Sequence, residues 1–473
     1  MKFILKVLSA VRDFVWRATT NPVSTIGVAL ATLASISFLA IVAFELAGVP
    51  IGHYVGIVSY LILPAIFLLG LALIPIGLRL QRMQEQKTGQ PRRFAVLDFN
   101  NPRVRSVALL VLVLTVVNLM IVSTATFKGV EVMDSTQFCG DTCHTVMAPE
   151  FTTYQRSPHS RVKCTECHIG SGANWFVKSK LSGSWQLVSV ALNLYPRPIP
   201  TPVENLRPAR DTCEQCHWPT KFIGERLRFF NRFAEDEKQT EKKTILLMKT
   251  GGGETGRAHG IHWHVDPDLT IRYRSDKSRQ KIFDIELTRG NGKPEMYKLD
   301  GATPDGAEPG WRVMDCVDCH NRPTHVYQMP KDELDAVLTS GELDKSLPFI
   351  KREGLKAIQQ TYSSHADAKE GIRKALAEFY RTNSPDLLEK HADRIDRAAD
   401  TLTRVYARNV FPEMRITWGT YPNFLKHEPG CFRCHDSEHK NEQGKKISKS
   451  CSLCHEVLAA EEETPEILEL LHP

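Results

Sequence analysis

Residues 139–168 read CGDTCHTVMAPEFTTYQRSPHSRVKCTECH, and this stretch decides how the rest of the chain is organised. It holds two cysteine pairs, Cys139/Cys143 and Cys164/Cys167, each followed at once by a histidine, His144 and His168. The arrangement recurs further along at Cys213/Cys216/His217, Cys316/Cys319/His320, Cys431/Cys434/His435 and Cys451/Cys454/His455, which uses all 12 cysteines. The spacing fits one chemistry: two thiols bond to the vinyl groups of a haem, and the next residue sets an imidazole beneath the iron. Histidine is 17 of 473 residues, so its chance appearance after all six pairs has a probability on the order of 10⁻⁹. Five pairs have two intervening residues and the first has three.

Disulfides and zinc account for the pattern poorly. Disulfide frameworks belong to short secreted chains and place no demand on the following residue, and a zinc centre would use the pairs two at a time. Six covalent haem c groups are therefore expected, in a compartment outside the cytoplasm.

Upstream of Cys139 lie three apolar stretches, about 23–46, 54–78 and 104–124, each long enough to cross the roughly 30 Å hydrocarbon layer as a helix. Lys2, Lys6, Arg12 and Arg17 precede the first, and Arg79, Arg82, Lys87, Arg92, Arg93, Arg103 and Arg105 crowd the link between the second and third. Basic flanks stay cytoplasmic, so the N-terminus is expected inside and everything after Phe127 in the periplasm. No signal-cleavage pattern is evident, which makes the first helix an uncleaved anchor in a multi-pass inner-membrane protein. His53 is the one histidine near these spans, so no haem is expected within the bilayer.

The fold class that follows is mainly α: a three-helix transmembrane anchor and a periplasmic multihaem domain with little regular structure and a small β-rich insertion. The boundaries read as a basic or amphipathic segment at 1–22, the anchor at 23–126, a four-haem domain at 127–330 with the insertion at about 222–312, and a helical segment with a two-haem extension at 331–473. Within the insertion, LTIRYR and KIFDIEL alternate as strands do. In GRAHGIHWHV, His262 and His264 would share one side of an extended strand, and one of them is expected as distal ligand at Cys213/Cys216. Beyond Pro330, DELDAVL, IRKALAEFY and HADRIDRAADTLTRVYARNVF carry helical patterning, with His365 and His391 expected in solvent. His427 and His439 stand close enough in sequence to serve the two haems of the extension, in either order.

Several residues of this frame resemble the NapC/NirT/NrfH family of membrane-anchored multihaem quinol dehydrogenases. The resemblance rests on Met147 soon after the first pair, on Tyr154, Ser157 and His159 before the second, and on CVDCHNRPTH, where His325 follows His320 by five residues. It covers residues 139–325 and implies that His159 caps the haem at Cys316/Cys319 and His325 the haem at Cys164/Cys167. It further implies Met147 as a ligand of the first haem, with His144 competing. Lys180, or Lys178, matches the lysine of the family's quinol site, whereas Gln186 or Leu187 stands where the family has an acid, leaving Glu150 or Glu131 as candidate base.

The function expected is oxidation of membrane quinol, menaquinol or ubiquinol, with electrons relayed through the haems to a periplasmic cytochrome or terminal reductase in anaerobic or extracellular respiration. Two alternatives stand beside it: an electron-transfer subunit of a larger complex that never touches quinol, and a multihaem reductase of a small oxyanion. The net charge of +6 arises largely from the cytoplasmic flanks, and no nucleotide-binding or nucleic-acid motif is present.

Overall fold

A computed structural model describes residues 21–46, 62–88, 134–141, 144–170, 173–203, 206–218, 224–251, 260–301 and 310–471, with isolated residues between 100 and 132 and at 222. Two compact units emerge, Met1–Ser135 with Cys164–Trp185, and Thr136–Lys163 with Gln186–Pro473.

The first unit holds two apolar helices, α1 (Pro22–Leu46) and α2 (Leu63–Thr88). Proline at the first helical position and Asn21 before it start α1, with the side-chain oxygen of Asn21 accepting from Val23 N at 2.8 Å. The same side chain donates to Gly77 O at 2.8 Å, and Ser24 Oγ donates to Ile74 O at 3.0 Å, so polar groups are satisfied across the pair. Glycines let the backbones touch: a methyl on Gly27 would lie 2.7 Å from Gly70 O, and one on Gly70 would lie 2.7 Å from Ala31 N. Helix α2 runs ten residues past the expected end, because LRLQRMQEQK contains only good helix formers before Gly89.

The expectation of three membrane spans is met here by one. Among the described residues, Leu63–Lys87 is long and apolar enough to cross a membrane by length and composition, and Pro22–Phe38 is a shorter apolar run. The link at 48–53 and, apart from residues 105, 106 and 109, the stretch 104–124 lie outside the described residues.

In the second unit, α3 (His144–Gln155) leads into the loop that carries His159. Tyr154 folds that loop: its hydroxyl donates to Ser160 O at 2.7 Å and lies 2.9 Å from Val162 O, while His159 N donates to Ser157 Oγ at 3.2 Å. Helix α4 spans Ala173–Ala191.

The expected insertion forms two sheets. Strands β1 (Arg226–Phe233) and β2 (Glu241–Met248) pair antiparallel; β3 (Leu269–Ser275), β4 (Ile282–Arg289), β5 (Glu295–Lys298) and β6 (Arg312–Val313) form the second sheet in the order β5-β4-β3-β6. Alternation buries Ile271 and Tyr273 of β3, as LTIRYR foretells, against Ile285 and Leu287 of β4, whereas β4 departs from alternation and buries Ile282, Phe283, Asp284 and Ile285 in succession.

Four helices follow: α5 (Pro330–Thr339), α6 (Ile350–Ile358), α7 (His365–Asn383) and α8 (Pro385–Ala407). Ile372, Leu376 and Tyr380 repeat at four-residue spacing on α7 and pack with Ile395, Leu402 and Val405 of α8 in the largest core. A buried pair, Lys351 with Asp335, binds this bundle to the first sheet, for Asp335 also accepts from Phe233 N at 3.0 Å. Beyond the sixth cysteine pair, β7 (His455–Glu462) returns to β2, with His455 opposite Met248. The first sheet is thus β1-β2-β7, completed by a strand from far along the chain.

Candidate functional site

Each cysteine pair that the structure describes in full sits on a single helical turn or a 3₁₀ turn. In the turn at Cys164–His168, and at Cys213, Cys316, Cys431 and Cys451, the backbone curls so that the two sulfurs emerge on the same side. His217 N donates to Cys213 O at 2.8 Å, His320 N to Cys316 O at 2.8 Å and His435 N to Cys431 O at 3.0 Å, which sets the imidazole one turn beyond the first thiol. Two-residue spacing is what such a turn requires.

The two thiols of a pair, equivalent in the sequence reading, differ in exposure. Cys167 is exposed while Cys164 is half-buried, on a turn that buries none of its five residues. Cys216, Cys431 and Cys451 are exposed as well. Burial acts on others: it pushes the thiol of Cys319 up to about 11 and that of Cys434 up to about 12. A thiol that must meet a haem vinyl group from outside the fold has to be reachable, and Cys167 is. It belongs, with Cys164 and His168, to the first unit.

The turns of the second unit succeed one another in space as they do in sequence. Cys213 lies within hydrogen-bonding reach of Cys316, Cys319 is an electrostatic neighbour of Cys431, and Cys454 of Cys431. Motifs three to six form a contiguous row.

Four imidazoles of that row each face a histidine from outside any cysteine motif. The ring centroids are 6.0 Å apart for His159 and His217, 6.4 Å for His262 and His320, 5.8 Å for His264 and His435, and 6.0 Å for His427 and His455. Two imidazoles bound to opposite faces of one metal through bonds of about 2.0 Å hold their centroids about 6 Å apart. The residues therefore fit a haem iron with imidazole on both faces.

Burial lowers the pKa of His264, His320 and His455, which favours the neutral form that ligates metal. His325 is likewise lowered by burial, against the opposing pull of Glu150. Backbone carbonyls occupy the Nδ1 atoms, at 2.8 Å from Ile261 O for His264 and 2.7 Å from Ser448 O for His435, as the outer partners of ligating histidines do.

The pairing differs from the one expected. His159 faces His217, whereas the resemblance implies a role at Cys316/Cys319. His262 and His264 face His320 and His435, and neither stands opposite His217. The reason lies in local backbone: Gly260–Val265 winds as a 3₁₀ turn where an extended strand is expected, so residues two apart point about 120° from each other. His427 faces His455, but His439 is fully buried with Nδ1 2.8 Å from Asp436 Oδ2 and Nε2 without a hydrogen-bond partner. His365 and His391 are exposed, as foreseen.

Around the first motif, Cys139 lies on a short helix at Thr136–Asp141, and His144 and Met147 are three residues apart in α3. Cys143 lies outside the described residues, as does the side chain of His144. Glu150 is engaged elsewhere: its carboxylate is 3.5 Å from Arg322 Nη1 and 3.2 Å from His325 Nδ1, and its backbone carbonyl is 2.9 Å from that same nitrogen. Lys178 and Lys180 belong to α4, where Lys178 is exposed and the Lys180 side chain lies outside the described residues. Glu131 pairs with Lys128 at 2.6 Å.

Sequence reading missed two residues that brace the row. Asp318, inside the fourth motif and 1% exposed, accepts from Tyr273 Oη, Arg312 Nε and Asp315 N. Arg433, inside the fifth, donates to the Asp318 carbonyl and to Arg279 O, and stacks on Phe424 at 3.8 Å. An acid and a base between paired cysteines was the available signal.

A model of the NapC/NirT cytochrome c family, N-terminal region, matches residues 101–196. The chain is 42% identical over 468 residues to the cytochrome c-type protein ImcH of Geobacter sulfurreducens, an alignment that covers 96% of this chain and 92% of that one. No solved structure matches it.

Proposed function

The chain belongs to the NapC/NirT cytochrome c family, and from that premise we propose that it is a six-haem inner-membrane cytochrome that oxidises menaquinol or ubiquinol and relays the electrons to a periplasmic cytochrome or terminal reductase. Covalently attached haem c, when bound, supplies a reversible one-electron iron couple.

The observation that carries this reading is imidazole opposite imidazole, as with His159 across from His217 and His427 across from His455. An iron with both faces closed exchanges electrons and has no position for substrate, which disfavours the oxyanion reductase. The continuous row of motifs three to six supports a relay.

Helix α4 supports a quinol site. Leu181, Trp185 and Val188 lie within one stripe at helical spacing, Leu192 follows just past the helix end, and all are exposed, at 70%, 63%, 45% and 63%. Such a face, close in sequence to Lys178 and Lys180, suits a helix lying at a lipid surface, where quinol is reached. Helices α1 and α2, with the stretch 104–124, serve as anchor, the N-terminus in the cytoplasm and the haem domain in the periplasm. Glu150 and Arg322 hold His325, a candidate distal ligand, and Met147 or His144 serves the first haem.

The test is anaerobic mixing of the purified haem-loaded protein with a reduced menaquinol analogue. Rapid change of the haem absorbance is the expected result, and no change would sink the quinol assignment. One observation favours a second reading, a subunit reduced by a partner protein: Glu150, the candidate base, is held by His325 and Arg322. Copurification with a dehydrogenase, together with inert behaviour toward quinol, would establish that role instead.

A further inference from the structure

The turn that precedes β3 carries two imidazoles aimed at two different cysteine motifs. His262 Nδ1 meets Thr250 O, and His264 Nδ1 lies 2.8 Å from Ile261 O. A carbonyl oxygen accepts only from a protonated nitrogen, so in each neutral ring Nδ1 carries the proton and Nε2 keeps a lone pair. The His262 ring stands parallel to His320, within 5°, with Phe222 behind it at 4.3 Å. The His264 ring stands at 80° to His435, with the edge of Trp263 against it at 5.6 Å.

We propose that His262 and His264 are the distal axial ligands of two successive haems, those attached at Cys316/Cys319 and Cys431/Cys434, so that one turn of six residues caps both. The inference rests on the reading of the cysteine motifs as haem sites and adds a ligand to each of two of them. A separate metal bound by the two histidines is the weaker explanation: each ring faces a different motif histidine, and no group of three or more metal-ligating side chains occurs among the described residues.

The turn is fixed to the first sheet at its root. Gly260 has φ of +58°, and a methyl group there would sit 2.0 Å from Lys249 O, the same oxygen that accepts from Ile261 N at 2.8 Å. Only glycine fits both the backbone conformation and the space. Any larger residue must displace the whole turn, and with it both imidazoles.

The experiment uses the full haem-loaded chain in detergent. His262→Gly and His264→Gly are each expected to convert one haem per molecule from low-spin to high-spin ferric form in electron paramagnetic resonance, with the mass of covalent haem unchanged. Added imidazole should restore the low-spin form, and Gly260→Ala should affect both haems together. A low-spin population unaltered in either histidine variant, with haem mass intact, overturns the proposal. Missing haem mass at Cys316/Cys319 or Cys431/Cys434 in the unsubstituted protein would instead defeat the underlying haem reading. Should the glycine variants fail to accumulate, His262→Met and His264→Met keep six-coordination through sulfur. A methionine–iron charge-transfer band is then expected, and its absence counts equally against the assignment.

Discussion

The ring planes of His262 and His320 lie within 5° of parallel, whereas those of His159 and His217 cross at 78°. Crossed ligand planes bring two iron d orbitals close in energy and make a low-spin ferric signal strongly anisotropic; parallel planes split those orbitals and give an ordinary rhombic signal. The oxidised protein should therefore show both classes in electron paramagnetic resonance. His159→Ala should remove a strongly anisotropic component and leave the rhombic one.

Lys180→Leu should slow quinol-driven haem reduction at least about tenfold, roughly 1.4 kcal/mol of lost transition-state stabilisation, while dithionite still reduces every haem. Stopped-flow absorbance with both reductants checks this. Equal slowing by both would place the lysine in the fold and not at the quinol.

Asp318→Ala should destabilise the haem domain by about 3–5 kcal/mol, since it strands Arg312 and Arg279 beside a buried gap. Asp318→Asn keeps the volume and one oxygen acceptor, enough for Tyr273 Oη but not also for Asp315 N, and should cost less than the alanine. Guanidinium titrations of the two variants, followed by tryptophan fluorescence, measure the difference.

Gly70→Leu should weaken the pairing of α1 with α2 by about 1–3 kcal/mol, because the added carbon meets Ala31 N and Gly27 O at 2.7 Å. Thermal unfolding in detergent is the readout. A substitution at exposed Leu68 on the same helix should leave the melting temperature in place.

What the sequence made legible was set by local chemistry. Covalent haem attachment fixes residue type and spacing within one helical turn, so Cys213, Cys216 and His217 declare themselves without any tertiary information. The strands around Ile271 and Ile285 and the stripe Ile372, Leu376, Tyr380 were equally readable, because periodicity is a property of neighbours. Exposure is not: nothing in CTECH separates an open Cys167 from a half-buried Cys164. Distal histidines are different again, since which imidazole faces His217 depends on how the loop after Tyr154 folds, and nothing near residue 217 records it. The turn at Gly260 was misread for a related reason. WHV beside a strand-like run suggests extension, but the contact between Gly260 and Lys249 O overrides that local preference.

The pairing of His455 with Met248 has a consequence for assembly. The strand that begins at the sixth motif histidine is also the closing edge of a sheet started before the fourth motif. A growing chain can pair β1 with β2, but β2 keeps an open edge until residue 455 arrives. The sheet therefore closes only after all six cysteine motifs have been synthesised.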